Sequence, residues 1–520
     1  MEPTRPSSAS TGPAPTRRAR LQRGAAALLA HAAGEAADYR LVSGLFLRLL
    51  ALVYLAAFAS IGVQIAGLAG AEGILPLGAH MDYLARELGP HRFWRVPSLF
   101  WLSTHDLALQ AAAAAGCVFS VLLLLGVRAR LCLIALFALY LSLVHAGQVF
   151  MNFQWDYLLL EAGFLAIFLP GRPRIVIWLF RWLLFRLRFL SGASKLLSGD
   201  PAWSGFTALH HYFETQPLPH SLSWYAHQLP DWLLRSGVGA TFFVELLVPF
   251  MMLLPRPFRL FAAWATILMQ VIIILTSNHN FFNILTIVLC LFLLDDRAVR
   301  ALLPARIAGA LARRTEALKP AGRPRGGELS LRAPALSLLA GVLVFASVVQ
   351  GWEMFSGRDA PGWAAAVEEP VKALRAVNKY HVFPTIKTER LELVIEGSRD
   401  RESWETYVFR YKPGDPSRRP AFVVPHQPRL DWMMWFVPAR HPLNLMWFER
   451  FAERLLENAA PVTALLEHNP FPDDPPRYLR VTLYEYRFTT PEERRETGDW
   501  WVREDRGRFW PLGWFERPGA

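Results

Sequence analysis

Apolar runs close to the length a helix needs to cross a bilayer, about 20 residues, recur through the first two-thirds of the chain. They lie near 44–68, 107–126, 131–150, 155–170, 175–196, 236–254, 260–276, 281–294 and 334–350, which predicts about nine membrane-spanning helices. Beyond residue 352 the pattern changes period. "RLELVIEGS" (390–398), "SWETYVFRYK" (403–412) and "RYLRVTLYEYRF" (477–488) alternate apolar and polar positions, as half-buried strands do. "RHPLNLMWFERFAERLLENAAPVTALLEH" reads as one or two amphipathic helices, and Pro-rich links such as "HNPFPDDPPR" separate these elements. The expected fold is a polytopic α-helical membrane protein with a C-terminal exported domain, α+β or β-sandwich-like. The expected division is a disordered cytoplasmic tail (1–40), a helical transmembrane domain (41–351) and a soluble extracytoplasmic domain (352–520).

Composition agrees with a chain of two textures. Of 520 residues 53% are hydrophobic and only 19% charged, too apolar for an ordinary soluble protein. The net charge of +12 is unevenly spread: residues 352–520 hold 25 Lys/Arg against 26 Asp/Glu, so the excess lies in the apolar part. A nucleic-acid binder concentrates its basic residues in the soluble part, and that class is set aside. The three cysteines, Cys117, Cys132 and Cys290, lie in apolar runs without metal-ligand spacing. No metal or cofactor is expected, and residues 352–520 have no thiol for redox chemistry. The Ala/Arg-rich composition suggests a bacterial source and hence an inner membrane.

Loop charge orients the spans. Arg128 and Arg130, Arg172 and Arg174, Arg256 and Arg259, and nine Lys/Arg between 295 and 333 fall in alternate links; "MNFQWD" and "SNHN" have none. By the positive-inside rule the N-terminus is cytoplasmic. Nine spans then put residues 352–520 on the other side.

Ionisable groups at membrane depth are costly and face a bundle interior or a wet cavity. "NFQWDYLLLEAGF" (152–164) carries Asp156 and Glu161, about 140° apart around a helix, so separate partners are expected for them. Arg174, Arg181, Arg188 and Lys195 recur every seven residues, a slowly drifting stripe, with Arg186 off it. Glu245 precedes Pro249 in mid-span, and "SNHNFFN" (277–283) is a polar break. Matched depths suggest Glu161 with Arg188 and Asp156 with Lys195. The expectation is an outward polar cluster of Asp156, Glu161, Arg188, Lys195, Glu245, His279 and Asn280; the plainer reading is a set of ion pairs that locks the bundle.

Several long runs resemble the lipase maturation factor family. They are "NFQWDYLLLEAGFLAIFLP" (152–170), "RFLSGASKLLSGDPAWSGFTALHHYFETQPLP" (188–219) and "NHNFFNILTIVLCLFLLDD" (278–296) in the membrane part. "VFRYKPGDPSRRPAFVVPHQPRLDWMMWF" (408–436) and "LLEHNPFPDDPPRYLRVTLYEYRF" (465–488) carry it in the exported part. The resemblance implies a chaperone-like protein of the endoplasmic-reticulum membrane that helps secreted lipases mature, a family with no accepted reaction of its own. Its partners would be exported client proteins, such as lipases, and membrane lipids. Under this reading "PHQPRLDWMMW", with His426, Arg429, Asp431, Trp432 and Trp435, is the candidate client surface. A shorter run, "FLSGASKLLSGDPAW" (189–203), is similar to the lysine-bearing segment of vitamin K-dependent carboxylases. It implies an alternative: an intramembrane enzyme acting on a lipid or quinone with Lys195 as base.

Overall fold

The computed structural model describes residues 39–170, 174–316 and 332–517, so the predicted tail lies outside it apart from Tyr39 and Arg40. Among the described residues six helices are long and apolar enough to cross a membrane: Arg40–Gly62, Asp106–Leu125, Ala129–Ala146, Asp231–Met251, Arg256–Thr276 and Pro334–Ser356. By that measure the expected count of nine is not reached. The other three predicted spans are helices of a different kind. Gln154–Ile167 has 14 residues, about 21 Å at 1.5 Å per residue. Phe282–Phe292 is also short. Arg174–Leu197 is long enough, but it carries four arginines and a lysine. These helices are largely buried among their neighbours, so protein rather than lipid solvates their polar groups. By contrast, only 28% of the apolar window is buried in Asp231–Met251 and in Arg256–Thr276.

Small residues let the helices close up. A Cβ at Gly116 would meet the Phe58 ring at 2.2 Å, so Asp106–Leu125 lies hard against Arg40–Gly62. Gly126, at φ 84°, turns the chain at the end of that helix, a left-handed conformation glycine adopts without steric cost.

The bundle has two chemically distinct ends. At one, Asp296 accepts from the backbone N–H groups of Arg40, Leu41 and Val42 at 2.9–3.0 Å and so caps the first helix. Asp295 binds Arg256 there, and Arg130 donates to the carbonyl of Pro170. This is where the basic links gather. At the other end, the links near 60–70, 147–154, 198–230 and 276–281 meet the C-terminal part of the chain. Helix Ile65–Ala69 packs on Ala460–Thr463 so closely that a Cβ at Gly67 would lie 2.2 Å from the Pro461 carbonyl oxygen.

The C-terminal part holds one antiparallel five-stranded sheet: β1 (Arg390–Ser398), β2 (Glu405–Thr406), β3 (Tyr478–Phe488), β4 (Trp501–Arg508) and β5 (Trp514–Glu516). The strand order is β2-β1-β3-β4, and β5 also pairs with β3. β1 and β3 register Leu393 with Leu483 and Ile395 with Val481. Helix Pro442–Leu456 covers the sheet, with Phe448 against Phe515 of β5 and the adjoining Phe509. This is the α+β alternative; no second sheet is present among the described residues, so the sandwich-like alternative falls away. The strand expected over 403–412 shrinks to two residues plus a bridge from Val408 to His468.

Candidate functional site

The polar residues singled out in the sequence form three separate buried systems, not one cluster. In the first, Asp156 stands in the first turn of its helix, where the helix dipole favours a carboxylate. Its partner is Arg429, which forks onto it with contacts of 2.7 and 2.8 Å. Tyr140 Oη donates to the same carboxylate at 2.5 Å, and Arg429 also reaches the Phe150 carbonyl at 2.7 Å. Both ends of the ion pair are buried.

In the second system Glu161 takes Arg186, the arginine off the stripe. Glu161 Oε2 accepts from the Asn378 backbone N–H at 3.1 Å and from Tyr380 Oη at 2.8 Å. In the third, Glu245 is shared between two stripe members: Arg188 at 3.0 Å and Lys195 at 2.8 Å. Lys195 Nζ spends its other two donors on the carbonyls of Ser191 (3.2 Å) and Val382 (2.8 Å). The pairings expected from depth, Glu161 with Arg188 and Asp156 with Lys195, are therefore both replaced. Depth along an axis is one coordinate, and the azimuth that decides the partner comes from packing. A π-helical turn at Phe243–Leu247 carries Glu245; the local widening sets where this carboxylate points.

The first two systems join the halves of the molecule, and "PHQPRLDW" is the segment that does most of it. Ser60 Oγ contacts His426 Nδ1 and accepts from Gln427 N, both at 2.9 Å. Gln64 accepts from Arg429 N at 2.8 Å and donates to the Gln427 carbonyl at 2.9 Å. Asn280 donates to Gln427 Oε1 at 2.8 Å. Asp431 accepts from the backbone N–H groups of Tyr411 and Lys412, and burial raises its carboxyl pKa. Trp435 donates to the Thr215 carbonyl at 2.6 Å and lies 3.6 Å under the Lys387 ammonium, whose pKa burial lowers to about 8. Arg429, Asp431 and Trp432 are buried, and His426 and Trp435 are partly covered. The expected client surface is thus an internal joint. Arg429 and Trp435 read as exterior in the sequence because the partners that bury them lie more than 200 positions away.

A cavity of about 540 Å³ lies between the third system and this joint. Arg188, Lys195, Glu245 and His279 line it together with Trp432 and Trp435; Asp156, Glu161 and Asn280 do not. His279 Nε2 lies 2.5 Å from Tyr212 Oη. Gln270 and Asn283, hydrogen-bonded to each other at 2.7 Å, also line it. Asn283 closes the polar break marked at 277–283; Gln270 was passed over, although a lone Gln in "ATILMQVIIIL" was the available signal.

A second contact between the halves is helix Ser221–His227, whose Trp224 donates to the Thr489 carbonyl at 2.9 Å. His220 caps this helix: its Nδ1 accepts from Leu222 N at 3.2 Å, which requires an unprotonated Nδ1. Burial lowers its pKa from 6.5 to about 4. The unfolded chain therefore binds more protons between those values. The cap's contribution is complete above about pH 6.5 and declines as pH falls toward 4. Unfolding measured in detergent at pH 7 and pH 5 should show a loss on the order of 1–2 kcal/mol from this group. His220→Asn, which keeps a capping side chain but does not titrate, should flatten that share of the pH dependence.

Fold and joint together define a polytopic membrane protein whose antiparallel-sheet domain is clamped to one end of its helical bundle by a buried ion pair and buried hydrogen bonds. The sequence model of the lipase maturation factor transmembrane domain matches residues 41–301, and that of the lipase maturation factor C-terminal domain matches 376–511. The chain is 34% identical to Lipase maturation factor 2 of Xenopus laevis, covering 92% of this chain and 83% of the relative. It is 35% identical to Lipase maturation factor 2 of Homo sapiens (91% and 83%) and 34% identical to Lipase maturation factor 1 of Bos taurus (92% and 90%). It belongs to the lipase maturation factor family. No solved structure matches it. These relatives are animal proteins, and the bacterial inner-membrane placement drawn from composition is withdrawn. Nothing found supports the carboxylase-like alternative, and Lys195 has all three donors engaged within the chain.

Proposed function

We propose that this protein is a membrane-embedded maturation factor that aids the folding of exported proteins, secreted lipases among them. The observation that carries this reading is the family match in both halves, extending over about nine-tenths of the chain and of the bovine relative. The joint adds a physical argument. A domain clamped by buried, bidentate and multiply hydrogen-bonded carboxylates is held in a set position against the membrane. Such placement suits a factor that meets its client as it emerges at the bilayer surface.

In this reading the membrane is that of the endoplasmic reticulum, the N-terminus is cytoplasmic and residues 352–520 are lumenal. Nine crossings fit the way the links alternate between the two ends, with the three polar or short helices crossing inside a protein sheath. The exposed apolar faces of Asp231–Met251 and Arg256–Thr276 contact lipid.

The test is the specific activity of a secreted lipase, per lipase molecule, in cells lacking this protein. Activity per molecule should fall while the amount of lipase holds, and re-expression should restore it. Unchanged activity per molecule would overturn the proposal.

A further inference from the structure

The cavity beside the third ionic system has the chemistry of a ligand site. Its volume of about 540 Å³ falls within the range of small-molecule pockets. Most of its wall is apolar or aromatic, including Phe153, Met269, Phe282, Trp432 and Phe436. Its formal charges do not balance. Arg188 and Lys195 face a single carboxylate, Glu245, and no other Asp or Glu lines the cavity among the described residues. All three are at most 4% exposed. An excess positive charge enclosed by apolar walls is unfavourable until an anion joins it.

Unspent hydrogen-bonding capacity points the same way. Arg188 Nε has no partner among the described residues, nor has Trp432 Nε1. Gln270 and Asn283 satisfy one another through a single contact and leave one acceptor oxygen and one amide nitrogen over. Buried polar groups are seldom left this way in a finished core. The π-helical turn under Glu245 is a third sign, since such turns often mark functional sites. The wall includes the bundle's least covered side: Thr241 and Glu245 come from Asp231–Met251, and Met269, Gln270 and Ile273 from Arg256–Thr276. Both helices turn broad apolar faces outward.

We propose that this cavity binds a single-chain anionic amphiphile of the fatty-acid class, its carboxylate at Arg188 and its acyl chain against the aromatic wall. The carboxylate balances the local charge and accepts the free Arg188 N–H. The chain enters from the bilayer between the two lipid-facing helices. This binding does not depend on the lipase-maturation reading, and either can fail without the other.

Four wall tryptophans, Trp155, Trp203, Trp432 and Trp435, provide the readout. The full-length protein in detergent would be titrated with a dibrominated stearic acid, which quenches indole fluorescence on contact, and in parallel with its methyl ester. Saturable quenching by the acid, at least tenfold tighter than by the ester, is expected. Ile273→Trp, which narrows the cavity from outside the charged system, should weaken the acid tenfold or more while leaving the thermal transition in place. Equal quenching by acid and ester would overturn the anionic assignment. Quenching unchanged by Ile273→Trp, or no saturable quenching, would overturn the site. Arg188→Lys, which keeps the charge and loses the forked donors, should fall between wild type and the cavity-filled variant.

Discussion

Arg429→Met is expected to cost this protein about 3–5 kcal/mol, because it strands the carboxylate of Asp156 in the interior without its countercharge, Tyr140 Oη still donating to it. Asp156→Leu alone should be comparably damaging, since it strands the guanidinium instead. The double variant Arg429→Met with Asp156→Leu removes both charges and should recover about half of the loss or more. Apolar replacement of a whole buried pair is often close to neutral. Thermal unfolding in detergent measures each cost. Limited proteolysis shows where it falls: the joint near residues 421–432 should become cleavable in the single variants before the bundle does. A single variant as stable as the wild type would mean that the pair does not hold the halves together.

The second large effect is an asymmetry within the third ionic system. Glu245 is the counterion of both Arg188 and Lys195. Glu245→Gln leaves two buried cations without a carboxylate and is expected to cost about 3–5 kcal/mol. Lys195→Met leaves the Arg188–Glu245 pair intact and should cost clearly less. Measured side by side by thermal unfolding, the order Glu245→Gln worse than Lys195→Met follows from the shared carboxylate. The reverse order would show that Lys195 does something for the fold beyond balancing Glu245.

Much of the site was legible before any geometry. Asp156, Glu161, Arg188, Lys195 and Glu245 stand out because each is an ion in an apolar run, and all five are buried and paired. The inference that Asp156 and Glu161 have separate partners also holds, and for the reason given: five residues along a helix turn them to different faces. Strand β1 occupies the nine residues marked by alternation, and β3 begins one residue late. β4 was missed because Arg503–Arg508 is exposed nearly throughout, so no alternation marks it. Six helices meet the measure for a membrane span, and the other three behind the expected count of nine sit inside the bundle. A helix sheathed by protein need not satisfy the length and apolarity that lipid demands, so hydropathy loses its hold on Gln154–Ile167 and Arg174–Leu197.

The division into an apolar helical part and an alternating, sheet-forming part, the family, and the ions placed in the wrong solvent can all be read along the chain. Those are local properties: period, composition and burial cost are written into neighbouring residues. Who pairs with whom emerges from the folded chain. Asp156 meets Arg429 across 273 positions, Glu161 meets Asn378 across 217, and one carboxylate on a π-turn serves two cations. Partnership depends on azimuth and on the docking of distant segments. Both are set by packing the whole chain at once, and no local pattern encodes them.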